Sequence, residues 1–373
     1  MTEINPYRLH IPQDALDDLH RRLANTRWPE QPSNPEWSDG PPVDDLRELA
    51  EYWRTGYDWR AAEKKINAYD QFSTEIDGEN VHFLHVRSPE PGARPLILTH
   101  GWPGSIVEYL DLVGPLTDPR AHGGDPADAF HVVVPSIPGF GLSGVTHGDG
   151  WTAERVARAW AELMRRLGYG RYFAHGGDWG ASITRELGLV DPEHVVALHV
   201  LQLFASGADA SDSDDPEEAR SAEAARRYQY ELMGYAVIQS TRPRLIAYGL
   251  TDSPVAQLAW IVDCFQHWTD PRGTVDRDAL LTNVMLYWLT GTAGSSARYY
   301  RDGAATWDQP PAPSTVPTAV AVFPHDIALP VRRIAERTNN IVRWTTFDRG
   351  GHFGALEEPD LLVADLRAFA AGR

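Results

Sequence analysis

The stretch GGDWG, residues 176–180, has the spacing of a sharp strand-to-helix turn that holds a nucleophile at its tip. Glycines two positions before and two positions after the tip allow the strand and helix backbones to approach closely. A hydroxyl is usual at such a tip, but here the residue is Asp178. Because aspartate is also a favoured helix N-cap, this motif alone does not separate a catalytic carboxylate from a structural one.

Two further motifs accompany the turn, at residues 100–105 (HGWPGS) and 350–354 (GGHFG). In proteins with this type of turn, a loop after an earlier strand supplies one backbone N–H of an oxyanion hole, and the residue after the nucleophile supplies the other. The sequence therefore predicts an oxyanion hole made by the amides of Trp102 and Trp179. His352 follows the last strand pattern, which is the usual place of the general base.

His352 needs an acid to orient its ring, and two aspartates are candidates. Asp326 ends the penultimate strand pattern, whereas Asp348 lies only four residues before His352 on the approach to the same loop. A carboxylate from a neighbouring strand faces the imidazole edge more readily, so Asp326 is predicted. The end of the strand pattern at residues 194–204 offers no Asp or Glu.

A carboxylate needs no deprotonation to act as a nucleophile at neutral pH. Its attack on an acyl carbon would give an anhydride, but attack on an sp³ carbon that bears a leaving group gives a stable ester. His352 would then activate water against the carbonyl carbon of that ester, and the oxyanion hole would stabilise the tetrahedral intermediate on Asp178. The sequence thus predicts either the opening of an epoxide or the displacement of a halide.

The leaving group separates these two reactions. An epoxide oxygen leaves as an alkoxide and needs a proton donor, whereas a halide needs only N–H donors such as indoles. Tyrosines of the later, helical part of the chain could supply that proton: Tyr228, Tyr230, Tyr235, Tyr248, Tyr287, Tyr299 and Tyr300. Trp179 would serve a halide equally well, so the residues favour epoxide opening and leave halide displacement open.

The elements that must position these residues follow from hydrophobic periodicity. In the first helical pattern Leu16, Leu19 and Leu23 share one face, and Asp77-Gly78 is typical of a hairpin turn. Short apolar strand runs that alternate with helical patterns indicate an α/β fold, with a mostly parallel central sheet and helices on both faces. The predicted segments are a helical arm (1–72), the first part of the core (73–205), a polar linker and an inserted helical cap (206–300, with helices expected from about residue 223) and the second part of the core (301–373).

Composition excludes several classes of partner. The chain has 52 acidic and 34 basic residues and a formal charge of −18, which argues against nucleic acid and anionic membrane surfaces. The single cysteine, Cys264, permits no intrachain disulfide and suits a reducing cytoplasm. The first residues lack a basic and apolar leader pattern, and no run of eighteen apolar residues occurs. A cytoplasmic location is therefore expected.

The sequence resembles the epoxide hydrolases of the α/β-hydrolase superfamily, and within them the microsomal-type branch. The resemblance is carried by stretches over nearly the whole chain: HIPQDALDDLHRRLANTRWP, HGWPGS, SIPGFGLS, GGDWGA, IQSTRPRLIAYGLTDSPVAQLAWI, RYYRD, FPHDI and RGGHFGALEEP. It implies the α/β-hydrolase fold and hydrolysis of an epoxide to a vicinal diol, with neither a metal nor an organic cofactor. Microsomal members carry an N-terminal membrane anchor, whereas this sequence starts directly at the arm, so we expect it to be soluble.

The resemblance also implies a role for each matching position. The catalytic set would be the nucleophile Asp178, the base His352, the charge-relay acid Asp326 and two ring-opening tyrosines, Tyr235 and Tyr300. Tyr299 and Tyr228 are the alternatives for the tyrosine positions. Residues beside the motifs are expected to line the substrate pocket, namely His100, Pro103, Trp179 and Phe353.

An aromatic-rich cap indicates an apolar substrate, with aryl epoxides among the candidates. The expected partners are a small-molecule epoxide and water, with no nucleic acid and no membrane, and a homodimer is the default assembly. A haloalkane dehalogenase is the alternative enzyme. A non-catalytic binding protein on the same scaffold is the remaining alternative, and the filled catalytic positions argue against it.

Overall fold

The computed structural model describes residues 3–33, 35–203, 214–307, 309 and 311–373. In this part of the chain, nine strands form one sheet in the order β1-β2-β3-β5-β4-β6-β7-β8-β9. Their bounds are β1 (Asn5–Tyr7), β2 (Gln71–Ile76), β3 (Glu79–Val86), β4 (Arg94–Thr99), β5 (Phe130–Pro135), β6 (Tyr172–Gly176), β7 (Val195–Val200), β8 (Ser314–Val322) and β9 (Asn339–Thr346). The pairs among β4 to β9 are parallel, and those that join β1, β2, β3 and β5 are antiparallel, which confirms the mostly parallel sheet.

The helices of the described chain are α1 (Gln13–Ala24), α2 (Val43–Thr55), α3 (Trp59–Ile66), α4 (Leu110–Thr117), α5 (Ala153–Arg166), α6 (Trp179–Val190), α7 (Pro216–Arg227), α8 (Gly234–Thr241), α9 (Pro243–Asp252), α10 (Pro254–Trp268), α11 (Arg277–Thr290), α12 (Ala293–Gly303), α13 (Arg332–Ala335), α14 (Gly354–Glu357) and α15 (Pro359–Ala370). None of them, over the residues described, combines the length and the apolar character needed to cross a bilayer.

The strand order places the core helices on both faces of the sheet. The chain moves one way from β4 to β5 and then reverses to reach β6, so right-handed crossovers put α4 and α5 on opposite faces. Accordingly α5 packs on α6, whereas α15 packs on α4. The carboxyl ends of the parallel strands then meet at one edge, where the candidate residues follow β4, β6, β8 and β9.

The N-terminal arm contributes more than helices. Its leucines Leu16, Leu19 and Leu23 are buried as the periodicity predicts, and its helices pack against α10 and α11 of the cap. In addition, β1 pairs with β2 and extends the antiparallel edge of the sheet, which the sequence analysis did not predict. The expected hairpin joins β2 to β3, with Asp77 at φ 53° and Gly78 at φ 79°, as a tight two-residue turn requires.

The cap begins earlier than the sequence pattern suggested. Residues 204–213, which include the start of the predicted linker, lie outside the described residues. Directly after them α7 begins at Pro216 rather than near residue 223, because Asp215 caps the helix by accepting a hydrogen bond from the Glu217 N–H at 2.8 Å. At the other end, α12 runs past residue 300, where the cap was expected to end. The domain limits otherwise remain predictions.

Candidate active site

Asp178 lies at the tip of the turn between β6 and α6, with φ 52° and ψ −128°. For a residue with a Cβ atom this conformation costs about 1–3 kcal/mol, and it persists only where the surroundings enforce it. The close approach of the two backbones is one such constraint. A Cβ atom added to Gly180 would lie 1.9 Å from the carbonyl oxygen of Thr99 on β4. The glycine-rich sequence therefore permits the strained turn that presents the carboxylate.

The two carboxylate oxygens of Asp178 face different groups. The backbone N–H of Trp102 donates a hydrogen bond to Oδ1 at 2.8 Å, and the amide of Trp179 also acts on the carboxylate. Oδ2 lies 3.7 Å from Nε2 of His352. Burial raises the pKa of Asp178, while His352 and the two amides act to lower it. The two amides predicted to form an oxyanion hole therefore both act on the carboxylate of Asp178.

The loop that carries Trp102 is held by the cap. Asn283 of α11 donates from Nδ2 to the carbonyl oxygen of Pro103 at 2.7 Å, and the Tyr287 hydroxyl donates to the carbonyl oxygen of Gly104 at 2.8 Å. Because both donors are buried, water does not compete for these bonds. The position of the Trp102 amide thus depends on α11.

His100 has a different surrounding from the one expected of a pocket residue. Its ring is buried; Nδ1 lies 2.9 Å from the carbonyl oxygen of Gly101, and Nε2 accepts a hydrogen bond from the Ile137 N–H at 3.2 Å. Both ring nitrogens are therefore occupied by the backbone of two loops. The His100 ring therefore connects these two loops. Its contact with substrate stays a prediction.

His352 lies between two carboxylates, as the sequence predicted. Its Nδ1 donates to Oδ1 of Asp326 at 2.8 Å, and its Nε2 points towards Asp178. The competing acid, Asp348, has a side chain that is 87% exposed. Only Asp326 therefore has the geometry to hold the imidazole in the tautomer with a proton on Nδ1.

The electrostatic surroundings of His352 favour its charged form. Burial acts to lower the pKa of the imidazole, but the carboxylates of Asp326, Asp178 and Glu108 outweigh it and raise the pKa to about 9. Glu108 lies on the turn of helix after the HGWPGS loop and was not singled out from the sequence. Burial raises the pKa of Glu108 to about 8, because its charged form has lost hydration.

Gln202 is a second residue that the sequence analysis missed. It follows β7, and its Nε2 donates to Oδ1 of Asp326 at 2.6 Å while lying 3.1 Å from Nδ1 of His352. The strand end was searched for acids only, although a buried amide there can hold an acid that comes from the next strand. Gln202 therefore fixes the carboxylate that orients the base.

Tyr235 and Tyr300 lie above the nucleophile within a cluster of aromatic rings. The ring of Tyr235 stacks on Trp102 at 4.8 Å, and the ring of Tyr300 meets Trp179 edge to face at 5.1 Å. The two tyrosine rings are 5.7 Å apart. Burial raises the pKa of both phenols well above the ordinary value, so both are neutral proton donors.

The hydroxyl groups of the tyrosines have different partners. The Tyr235 hydroxyl lies 3.0 Å from that of Tyr228. The buried Tyr300 hydroxyl makes no hydrogen bond of good geometry within the described chain, although the Tyr235 and Trp179 side chains act on it. The Tyr299 ring packs against Trp179 and Phe140 on the other side. The structure thus brings together Tyr235 and Tyr300, with Tyr228 behind Tyr235.

Phe353, another predicted pocket residue, lies in a cluster of aromatic rings at the end of α10, and its contact with substrate stays a prediction. Phe353 stacks on Phe265 of α10 at 3.9 Å, and Trp268 at the end of α10 meets the His352 ring edge to face at 4.8 Å. Trp268 also contacts Tyr235 at 5.1 Å. Helix α10 therefore contacts both the histidine and the tyrosine side of the site, which the sequence pattern did not reveal.

Comparison with known families agrees with this geometry. Residues 94–359 match the family described as "alpha/beta hydrolase fold", and residues 4–109 match "Epoxide hydrolase N terminus". The sheet order, the strained turn and the histidine after the last strand thus define an α/β-hydrolase, as the sequence predicted. The N-terminal match covers the arm, β2, β3, β4 and the oxyanion loop.

Relatives narrow this class further. The chain is 45% identical to a provisionally named epoxide hydrolase of Stigmatella aurantiaca, over 98% of this chain and 84% of the relative. It is 34% identical to epoxide hydrolase 1 of Sus scrofa, over 98% and 88%. The solved structure of Aspergillus niger epoxide hydrolase superposes with a TM-score of 0.87 at 30% identity, over 98% and 96%. The chain belongs to the epoxide hydrolase family.

Proposed function

We propose that this enzyme hydrolyses an apolar epoxide to a vicinal diol through an ester on Asp178, which water activated by His352 then hydrolyses. The main support for the proposal is that the two carboxylate oxygens of Asp178 have different partners. Oδ1 accepts the Trp102 N–H at 2.8 Å, whereas Oδ2 is directed towards His352. One oxygen is therefore free to attack, and the other already occupies the oxyanion hole.

In the first step, Oδ2 of Asp178 attacks an epoxide carbon and the C–O bond of the ring breaks. The leaving oxygen takes a proton from Tyr235 or Tyr300, whose hydroxyls are the acidic groups above the carboxylate. The Tyr300 hydroxyl makes no hydrogen bond of good geometry within the described chain, whereas the Tyr235 hydroxyl is paired with Tyr228, so Tyr300 has the less committed proton. The product of this step is a hydroxyalkyl ester of Asp178 and a phenolate, and the phenolate is reprotonated before the cycle ends.

In the second step, His352 takes a proton from water, and the resulting hydroxide attacks the carbonyl carbon of the ester. Ester formation removes the negative charge of Asp178, which is one of the groups that raise the pKa of His352. The imidazole can then lose its proton and act as a base when it is needed. The negative charge that develops on Oδ1 is stabilised by the amides of Trp102 and Trp179. Collapse breaks the bond between the carboxyl carbon and Oδ2, and the imidazolium returns its proton to the departing oxygen as the diol leaves. The carboxyl group of Asp178 then gives its proton to the phenolate, which restores both side chains.

The tyrosines argue against the alternative of a haloalkane dehalogenase. A halide needs no proton, yet two buried phenols converge on the space above Asp178. A non-catalytic binding protein would not need a strained carboxylate beside an oriented histidine.

The aromatic wall of Trp102, Trp268 and Phe353 supports an apolar substrate, and aryl epoxides fit such a surface. We also propose a cytoplasmic enzyme and a homodimer.

A single-turnover reaction with styrene oxide in ¹⁸O-labelled water, with enzyme in excess, tests the proposal. The peptide that contains Asp178 and the diol are both weighed. We expect one labelled oxygen in the Asp178 carboxylate and a largely unlabelled first-turnover diol. Label that enters the diol directly would overturn the ester mechanism. If no diol forms, a panel of alkyl epoxides and a haloalkane with halide detection distinguishes a wrong substrate from a wrong reaction.

A further inference from the structure

We propose that the side chains of Glu357, Asp270 and Arg272, here called the base-loop clamp, position His352 by fixing its loop to the end of cap helix α10. The loop comprises residues 348–353. This inference rests on the proposed function, because it concerns the step in which His352 activates water. None of the three side chains touches the reacting atoms in this geometry, so each is a positioning residue that acts through the histidine.

Glu357 joins two segments that are distant in the sequence. Its Oε1 accepts the N–H of Phe353, the residue directly after His352, at 3.0 Å. Its Oε2 accepts the N–H of Asp270, just beyond the end of α10, at 2.7 Å. One carboxylate therefore holds the base loop and the cap together, and each of its oxygens has a backbone partner.

Asp270 and Arg272 repeat the connection on the other side of the loop. The buried Asp270 accepts the N–H of Gly350 on Oδ2 at 2.9 Å, and Arg272 donates to the carbonyl oxygen of Asp348 at 2.8 Å. The guanidinium of Arg272 also pairs with Asp270 at 2.8 Å and, with the Gly350 amide, holds the pKa of that carboxyl well below its usual range. Asp270 is thus an anion whose charge is satisfied within the clamp.

The loop between these bonds has no room to shift. His352 itself donates its backbone N–H to the carbonyl oxygen of Trp268 at 2.8 Å. A Cβ atom at Gly351 would lie 2.4 Å from the same carbonyl oxygen, so the loop and the helix end are in direct contact. Because the Trp268 ring also meets the imidazole edge, a displacement of α10 relative to the loop moves Nε2 away from the ester.

Glutamine is a suitable substitution for Glu357, because it has nearly the same size but offers only one acceptor oxygen. Burial raises the pKa of Glu357 to about 7, and the two backbone amides oppose that effect. In Glu357→Gln one oxygen becomes an NH₂ group, which would face the N–H of either Phe353 or Asp270. Two donors then face each other at a half-buried side chain, and one of its two hydrogen bonds to the backbone is lost.

The test measures the two chemical steps separately by quenched-flow mass spectrometry of the Asp178 ester with styrene oxide. For Glu357→Gln we expect the decay of the ester to slow by roughly tenfold to a hundredfold, since a misplaced base costs rates of that order. The rate of ester formation should change by less than about twofold, because the clamp bonds directly to the backbone of the base loop and reaches Tyr235 only through the packing of the Trp268 ring. An unchanged decay rate, or a parallel fall in both rates, would overturn the proposal.

Glu358→Gln is the matched control. It removes the same charge one position away, and this side chain pairs with Arg349 rather than with a backbone amide of the loop. Both of its rates should equal those of the parent enzyme. If Glu357→Gln does not fold by circular dichroism, Arg272→Ala decides instead, because that side chain is 60% exposed and its loss leaves no buried cavity. Slower ester decay in Arg272→Ala would support the clamp, and normal decay would contradict it.

His352→Gln, measured in parallel, separates failure of the clamp from failure of the proposed function. If His352→Gln forms an ester that persists, the role of the base holds, and the behaviour of Glu357→Gln bears on the clamp alone. If His352→Gln hydrolyses its ester at the normal rate, the proposed mechanism fails together with the clamp.

Discussion

The hydroxyl of Tyr228 lies 3.0 Å from the hydroxyl of Tyr235, whose ring is 5.7 Å from that of Tyr300. Tyr228 begins a short π-helical turn, Tyr228–Leu232, between α7 and α8. Such turns recur at functional sites because the extra residue re-aims a side chain. Here the turn places a third phenol behind one of the two proposed proton donors.

Replacement of Tyr235 by phenylalanine should slow ester formation. The hydroxyl would otherwise donate to the leaving epoxide oxygen, so its loss should lower kcat/KM by about 10²-fold, the range of a lost general acid. Tyr300→Phe should have a similar effect. Tyr299→Phe is the control, because its ring is buried at the same wall but faces Phe140. Stopped-flow kinetics would contradict the assignment if Tyr299→Phe were the more damaging variant.

Tyr228→Phe should have a smaller effect in the same direction. A hydrogen bond from Tyr228 would stabilise negative charge on the Tyr235 oxygen as its proton leaves, so ester formation should slow by roughly fivefold to tenfold. The double variant with Tyr235→Phe should be no slower than Tyr235→Phe alone. Additive losses in this double-mutant cycle would mean that Tyr228 acts independently of Tyr235.

Asp178→Ala should abolish turnover and leave the fold intact. No other buried carboxylate in the described chain combines the oxyanion-hole amides with His352, so no ester should form. Product formation and the mass of the Asp178 peptide are measured with excess substrate over several hours. Residual diol above the uncatalysed rate by more than about 10³-fold would exceed what binding and the oxyanion hole supply without a nucleophile.

Asp326→Asn should impair hydrolysis of the ester more than its formation. The amide no longer stabilises the imidazolium, so kcat should fall by about 10³-fold or more, and the ester should accumulate. Asp348→Asn is the matched control, since that side chain is exposed and Arg272 holds this end of the loop by the backbone carbonyl oxygen, not by the carboxylate. Equal losses in the two variants would argue that general destabilisation of the loop causes the effect.

The ionisation of Glu108 should lower the free energy of unfolding as the pH rises. A carboxyl whose pKa is raised by folding contributes stability that is present below its ordinary pKa, near 4.5, and is lost as the pH rises through about 8. Glu108→Gln should therefore be more stable than the parent at pH 8.5 by an amount on the order of 5 kcal/mol, since the pKa is raised from 4.5 to about 8 and each pKa unit corresponds to about 1.4 kcal/mol. Urea unfolding at pH 5 and pH 8.5 checks this, and an equal difference at both pH values would contradict it.

The parts of the site that follow single strands could be predicted from the sequence. The glycines around Asp178 and the position of His352 after the last strand are local signals, and parallel strands bring their carboxyl ends together regardless of detail. The choice of Asp326 over Asp348 needed only the argument that a neighbouring strand faces the ring. The structure places each of these residues where that reasoning expected it.

The missed residues depend on packing between distant segments. Gln202 and Glu108 carry no motif of their own, and Glu357 lies in a quoted stretch but only its contact with the Asp270 amide reveals what it holds. The edge strand β1 has three residues, too few for a periodic signal, and it exists because β2 offers a free edge. The early start of α7 was hidden by its polar composition, although Asp215 and Pro216 are a recognisable helix start.

The different partners of the two Asp178 oxygens mean that only one of them is exchanged with water during turnover. Oδ2 leaves with every diol molecule and is replaced by an atom from water, whereas Oδ1 stays with the two amides. One oxygen of the side chain is therefore consumed in each turnover, and the other is retained. Unless the carboxylate rotates between cycles, isotope exchange in labelled water should stop after one of the two oxygens has been renewed, however many molecules the enzyme has processed.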